Sequence, residues 1–313
     1  MEKFEFDSGI DGPAVVITGA VHGDERAGPD AIGSFLENWD RKLKKGRVTF
    51  VPVVNEAARA QNTRFVDIDL NRCMGAKDLQ DLSEHKIVPE IREILASHDV
   101  LLDLHSFRKG DGAFALLGPK NNTDGLEPFQ HEIAETAFGA SVGIKRVMHG
   151  WLGSYNRALA EFNESIGKTD DPYPALEKSV GMTEYMRNAG GYACTVECGQ
   201  HQAADCISNG VSAITGALVG LGMVDGELPT IEGDFECYEL YQVIIKSHED
   251  DGLLVDEISN FDLLPKGEPI LRVGGELFSL DQAGVIAMFP KVGAKIGESI
   301  ITLARPSQRL ANV

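Results

Sequence analysis

The sequence predicts an α/β protein, a mixed and mostly parallel sheet flanked by helices, with a small β-rich domain behind it. Three observations carry that expectation. The run Ala14 to Thr18 (AVVIT) is continuous and β-branched, as a strand covered on both faces should be. Runs of that kind alternate with segments of helical periodicity through about residue 225, the order of an α/β fold. From Gly226 onward the helical periodicity disappears, and short apolar runs alternate with Gly, Asp and Pro turns. The expected division is therefore 1–225 and 226–313, and a chain of 313 residues suits one large domain plus a small one.

Behind Pro29 a helix is expected to Leu43, with Ile32, Phe35, Leu36, Trp39 and Leu43 on its core face. Arg47 to Val54 is the next strand. Glu84 to His98 reads as a helix, with Ile87, Ile91, Ile94 and Leu95 at helical spacing and Pro89 in its first turns. The strand Val100 to Leu104 follows, then a strand at Ala113 to Leu117 and helices near Pro128 to Phe138 and Tyr155 to Phe162. Tyr192 to Gly199 is another short strand, and a small-residue helix covers about Ala203 to Leu221. In the last part the strands expected are Tyr241 to Ile245, Pro269 to Val273, Val285 to Phe289 and Ser299 to Leu303.

The charge balance restricts the partners. A net charge of -19 and pI near 4.8 argue against nucleic acid or an anionic membrane surface, which need a basic footprint. No window reaches the ~18 apolar residues of a membrane helix, and the start MEKFEFDSGI lacks the basic and apolar regions of a signal peptide, so a cytoplasmic protein is expected. Five cysteines without paired metal spacing fit reduced thiols better than a disulfide framework. A homo-oligomer is left open.

Histidines and carboxylates recur where strands end. His22 and Glu25, in H-G-D-E after the first strand, lie where open α/β sheets bind ligands, and two N/O donors close in sequence joined by a distant third is the pattern of catalytic zinc. A solvated loop His and Glu is the other reading of that motif. Arg59, Arg64 and Arg72 crowd one polar segment of an acidic chain, where guanidinium forks suit a carboxylate or an oxyanion, or brace the loop through Asp67 or Asp69. His105 follows the strand VLLDL, and Asp103, two residues earlier on the same face, is placed to orient it or to cap a neighbouring loop. Glu197 stands near the end of the strand Tyr192 to Gly199.

Taken together, His22 and Glu25 in H-G-D-E, Asn55 followed by Ala57, Arg64, the run Asp69-Leu70-Asn71-Arg72, His105 in D-L-H-S and Glu197 in T-V-E-C-G resemble the succinylglutamate desuccinylase/aspartoacylase family, which has a zinc carboxypeptidase-like fold. The resemblance implies one zinc ion per chain held by His22, Glu25 and His105, with Glu197 as general base. It implies that Arg64 polarises the scissile carbonyl, that Asn71 and Arg72 hold the substrate carboxylate, and that Arg187 is a further substrate arginine. One departure is visible: no tyrosine follows Tyr241, where aspartoacylases use a C-terminal tyrosine on the substrate carboxylate. The stretch Ala283 to Glu298 resembles the half-barrel of biotinyl and lipoyl carriers. No lysine there has a carrier's setting, so no attached cofactor is expected, and packing against the first domain at the cleft mouth is the expected role.

Physically, two neutral imidazoles and one carboxylate leave zinc an open position for water, whose pKa falls toward ~7. A nearby glutamate that is not a ligand can carry the proton to the departing nitrogen. The reaction expected is deacylation of a small anionic N-acyl amino acid, of acetyl or succinyl type. A carboxypeptidase acting on a peptide end and a catalytically silent binding protein are the alternatives.

Overall fold

The computed structural model describes residues 1–168, 174–255 and 257–311. Its strands are β1 (Phe4–Asp7), β2 (Ala14–Gly19), β3 (Arg47–Val51), β4 (Val100–Phe107), β5 (Phe114–Leu117), β6 (Arg146–His149), β7 (Tyr192–Gln200), β8 (Glu236–Ile245), β9 (Gly252–Leu253), β10 (Pro269–Val273), β11 (Glu276–Ser279), β12 (Ile286–Met288) and β13 (Ser299–Pro306). The helices are α1 (Ala27–Asn38), α2 (Glu56–Gln61), α3 (Ser83–Ala96), α4 (Glu132–Ser141), α5 (Trp151–Ser165), α6 (Ala175–Lys178), α7 (Met182–Asn188) and α8 (Cys206–Gly220), with a 3-10 turn at Leu70–Arg72.

A ten-stranded sheet runs β1-β3-β2-β4-β7-β5-β6-β8-β13-β12. Its centre, β3-β2-β4-β7, is parallel, and β5 returns antiparallel to β7. The sheet is mixed and mostly parallel as the sequence predicts. Strand alternation sorts the side chains into two layers. Val15, Ile17, Leu102, Leu104, Cys194 and Val196 face α1, α4 and α8, whereas Val16, Leu101 and Ala193 face α3 and α7. The second face carries Thr18, Asp103, His105 and Glu197 farther along the same strands, so polar chemistry begins where the apolar layer ends.

Several boundaries differ from expectation. α1 starts at Ala27, with Pro29 in its first turn where a missing N–H costs nothing, and stops at Asn38 rather than Leu43. Trp39 turns extended and Arg41 takes a left-handed φ of 61°, which swings the chain back toward β3, yet Trp39 and Leu43 still pack on the core. β4 runs on to Phe107, so His105 lies inside the strand and not beyond it. α4 begins at Glu132 rather than near Pro128.

In the C-terminal stretch, β8, β13 and β12 continue the main sheet beyond β6, while β9, β10 and β11 form a separate antiparallel sheet. Leu240, Ile286, Met288 and Ala304 share an apolar cluster with Phe114 and Met148 of the preceding segment.

Candidate metal centre

His22 and Glu25 lie in the loop after β2, and the loop's path depends on Gly23. A Cβ there would collide with the backbone of Ala58 and Arg59 in α2. The adjacent strand β4 supplies His105, in register with Glu197 of β7. His22, Glu25 and His105 are all buried, and one donor atom from each lies within 4.8 Å of the others.

The ring nitrogens are sorted by their partners. His22 Nδ1 and His105 Nδ1 both face the Glu25 carboxylate, at 2.8 and 2.9 Å. The far nitrogens face other carboxylates: His22 Nε2 lies 3.1 Å from Asp69 Oδ1 and His105 Nε2 lies 2.8 Å from Asp103 Oδ2. A neutral imidazole that donates Nε2–H to those carboxylates turns the Nδ1 lone pair toward Glu25, which is how metal-ligating histidines are oriented. Asp103 is fixed in turn by the Thr18 hydroxyl, which donates to Oδ1 at 2.7 Å. The Ser106 N–H donates to Glu25 Oε2 at 3.1 Å.

The field at this point calls for positive charge. Burial works against charge on both imidazoles, but Glu25 and Asp69 around His22, and Asp103 and Glu25 around His105, raise both above the ordinary histidine value. Burial also opposes charge on Glu25, and the two imidazoles still hold its carboxyl well below the usual range. Two oriented imidazoles, a carboxylate and this electrostatic demand together suit a divalent cation such as zinc.

Glu197 differs from its neighbours. Burial, and then the nearby Glu25, push its carboxyl up to about 7. Its Oε2 is buried and, among the described residues, accepts no hydrogen bond. A desolvated carboxyl with that pKa and one uncommitted oxygen is suited to exchanging a proton near neutrality.

The arginine-rich segment folds over the same spot. Buried Glu84 on α3 gathers it, accepting from the backbone N–H groups of Val66, Asp67 and Ile68 and from the Asn55 side chain. Asn55 also caps α2. Arg64 forks onto Asp69 Oδ2 at 3.0 and 2.9 Å while its Nη1 stays 3.6 Å from Glu25 Oε1. The loop-bracing pair is thus present, and the half-exposed guanidinium still borders the donor group. Asn71 Nδ2 is 3.4 Å from His105 Nε2, and its Oδ1 accepts the Met182 N–H at 3.0 Å. Arg72 donates to the Asn71 carbonyl at 2.7 Å and lies over the Trp151 ring, 5.6 Å from its centroid.

Arg187 stands apart from this set. It is buried with Nε on Glu135 at 2.7 Å, Nη1 on Glu127 at 3.0 Å and Nη2 on the Ala193 carbonyl at 3.2 Å. Sequence reasoning passed over Glu127 and Glu135, whose nearest signal is only that each lies in or before a helical pattern. Asp69 was named solely as a loop brace, although D-L-N-R already placed it beside the site. His201, just past Glu197, bonds the Ser106 hydroxyl at 2.8 Å and is not in the donor group.

Residues 11–206 match the family profile described as succinylglutamate desuccinylase/aspartoacylase catalytic domain. A probable aspartoacylase of Parasynechococcus marenigrum (strain WH8102) is 28% identical over 145 residues, 40% of this chain and 48% of that protein. The chain spans about half the length of the curated relatives it matches. Among solved structures, succinylglutamate desuccinylase from Vibrio cholerae superposes with a TM-score of 0.70 at 19% identity, covering 96% of this chain and 82% of that one. The product-bound ectoine utilization protein EutE (DoeB) from Ruegeria pomeroyi gives 0.68 at 21% identity, covering 97% and 88%. At such identities the structures speak for the fold alone.

Proposed function

The chain belongs to the succinylglutamate desuccinylase/aspartoacylase family, and on that premise we propose that it is a zinc-dependent amide hydrolase that deacylates a small N-acyl amino acid. The observation that carries the reading is the convergence of His22, Glu25 and His105 beside a buried Glu197 oxygen that has no partner among the described residues. One zinc ion in that seat would lower the pKa of water and polarise the amide oxygen.

Glu197 is the general base in this reading: it takes a proton from the attacking water and returns it to the departing nitrogen. Arg64, steadied by Asp69, supports the carbonyl oxygen as negative charge develops on it. Asn71 and Arg72 hold the substrate's α-carboxylate and so place the amide. Arg187, whose nitrogens already bond protein acceptors, acts by shaping the pocket wall. Five buried free cysteines agree with a reducing, cytoplasmic setting, and no described helix is long and apolar enough to cross a membrane. We keep 1–225 as the catalytic segment and 226–313 as a β-rich companion that borders it.

Metal analysis and an amine-release assay test the proposal together. The purified protein is expected to hold about one zinc per chain and to release free amine from members of a panel of N-acetyl and N-succinyl amino acids. Protein that gains no zinc and releases no amine would overturn it.

A further inference from the structure

Arg72 is held differently from Arg64 and Arg187. Those two commit their forks to carboxylates, Arg64 to Asp69 and Arg187 to Glu127 and Glu135. Among the described residues Arg72 has no carboxylate partner, and its guanidinium makes one hydrogen bond, from Nη1 to the Asn71 carbonyl. What faces its charge instead is the Trp151 ring, with Cζ 5.6 Å from the centroid. A salt bridge would occupy the in-plane N–H groups that a bidentate carboxylate needs. An aromatic face attracts the cation and leaves them free.

The indole is itself fixed from several sides. Trp151 opens α5 behind Gly150, whose left-handed φ of 91° sets the chain so close to β8 that a Cβ there would sit 2.8 Å from the Leu240 carbonyl oxygen. Tyr155, one turn on, stacks on the indole with centroids 5.4 Å apart and planes at 22°. Phe289 meets it almost perpendicularly, at 5.6 Å and 77°. Phe289 comes from the end of β12, and its φ of 51° is a left-handed conformation that bulky residues rarely adopt. Asn260 Oδ1 accepts its N–H at 2.7 Å, and the next residue, Phe261, is also left-handed, at 72°. Both rings pack on Phe114. Strain of this kind persists where the surroundings over-determine it, and ligand clamps are one such place. Phe289 has no polar side-chain atom, so anything it does for a substrate passes through Trp151.

We propose that Trp151 and Phe289 are positioning residues for the substrate carboxylate: Phe289 fixes the indole, the indole holds the Arg72 guanidinium, and the uncommitted N–H groups of Arg72 are thereby kept for the carboxylate. The inference rests on the deacylase reading above and deepens it. Preference for a carboxylate then depends on a residue of the β-rich segment, beyond the 11–206 match to the catalytic domain.

The test uses the zinc-loaded full chain. For whichever N-acetyl or N-succinyl amino acid is turned over, kcat/KM is expected to favour the free α-carboxylate over its α-carboxamide by about 10²-fold or more. Trp151→Leu and Phe289→Leu are each expected to shrink that preference about tenfold, through KM more than kcat. Trp151→Phe, which restores an aromatic face, is expected to regain most of it. A stack that serves only as packing would lower the denaturant midpoint in the same variants and leave the preference alone. A second readout needs no turnover. Trp39 and Trp151 are the two tryptophans of the chain, and Trp39 sits beside Phe6 and Phe35, so in a Trp39→Phe background the emission is that of Trp151. Iodide collects at a free guanidinium and neutral acrylamide does not. At constant ionic strength the ratio of iodide to acrylamide quenching is expected to fall about twofold on adding Arg72→Ala or Phe289→Leu. If no compound of the panel is hydrolysed, the deacylase reading falls and this ratio alone decides. An unchanged carboxylate preference in either leucine variant overturns the proposal and leaves the deacylase reading standing; without turnover, an unchanged quenching ratio in either variant overturns it.

Discussion

Two buried charge clusters stand side by side in this molecule, built from nearly the same kinds of side chain, and they are wired in opposite senses. Around His22, Glu25 and His105 the carboxylates of Asp69 and Asp103 lie on the outside, behind the imidazoles, and the donor atoms point inward at one another. Around Arg187 the guanidinium is in the middle and Glu127, Glu135 and Glu184 lie on its periphery. The first arrangement leaves its centre in need of a cation from outside the chain; the second supplies its own. Burial of charge by itself therefore says little about function. What discriminates the two is the direction in which unsatisfied atoms point, as with the orphaned Glu197 oxygen at the first cluster.

The sharpest way to break the comparison is to remove the proton carrier while keeping its shape. Glu197→Gln is expected to lower kcat by about 10² to 10⁴ with zinc content unchanged. Turnover near wild type in metal-loaded variant protein would remove Glu197 from the chemistry, and loss of zinc would make it a ligand.

Arg187→Leu attacks the other centre. It strands Glu135 and Glu127 in the interior, and a buried pair broken from one side typically costs about 3 to 5 kcal/mol, to be read from denaturant midpoints. A loss below about 1 kcal/mol, the range of an exposed pair, would mean that the cluster is more hydrated than its burial indicates.

Asp103→Asn tests the outer carboxylates of the metal centre. Weakened orientation of His105 is expected to reduce zinc affinity by about 10- to 100-fold, measured by chelator competition. An unchanged affinity would show that strand β4 alone aims the ring.

The smallest effect is the control for both clusters. Arg26, just before α1, and Asp30 in its first turn form a solvent-facing i,i+4 pair at 2.8 Å, and Arg26→Ala should cost only about 0.3 to 0.5 kcal/mol. A larger loss would signal that surface charge, and not buried wiring, dominates stability in so acidic a chain.

The strands that carry the site were legible because they are buried on both faces: AVVIT and VLLDL are short, largely apolar runs, His105 follows the second directly and His22 lies four residues past the first. The motif order then placed Arg64, Asn71 and Arg72 near the same spot without any distance. Strands β1, β6, β9 and β11 were not foreseen. RVMH of β6 is four residues with a charged and a polar end, and only its pairing with β5 and β8 makes it a strand. Helix α1 was drawn too long because Trp39 and Leu43 keep helical spacing while packing from an extended turn. The surroundings of Arg187 were beyond reach for a related reason: Glu127 and Glu135 are 60 and 52 residues away along the chain, and nothing local marks a residue as half of a buried pair.

The unbroken run of the main sheet from β6 into β8 has a practical consequence for anyone who would dissect the protein. A chain cut after residue 225 would keep the donor group, Glu197 and the arginine segment, but it would end its sheet at β6. The backbone groups of β6 that now bond β8 along Arg146 to His149 would be bare, and Phe114 and Met148 would lose the apolar cover of Leu240, Ile286 and Met288. An uncapped strand with an apolar flank is a template for self-association. Such a fragment is expected to emerge as soluble aggregate or inclusion body, although every side chain of the metal centre is in it, because here the reactive part and the part that keeps it dispersed are one piece of cloth.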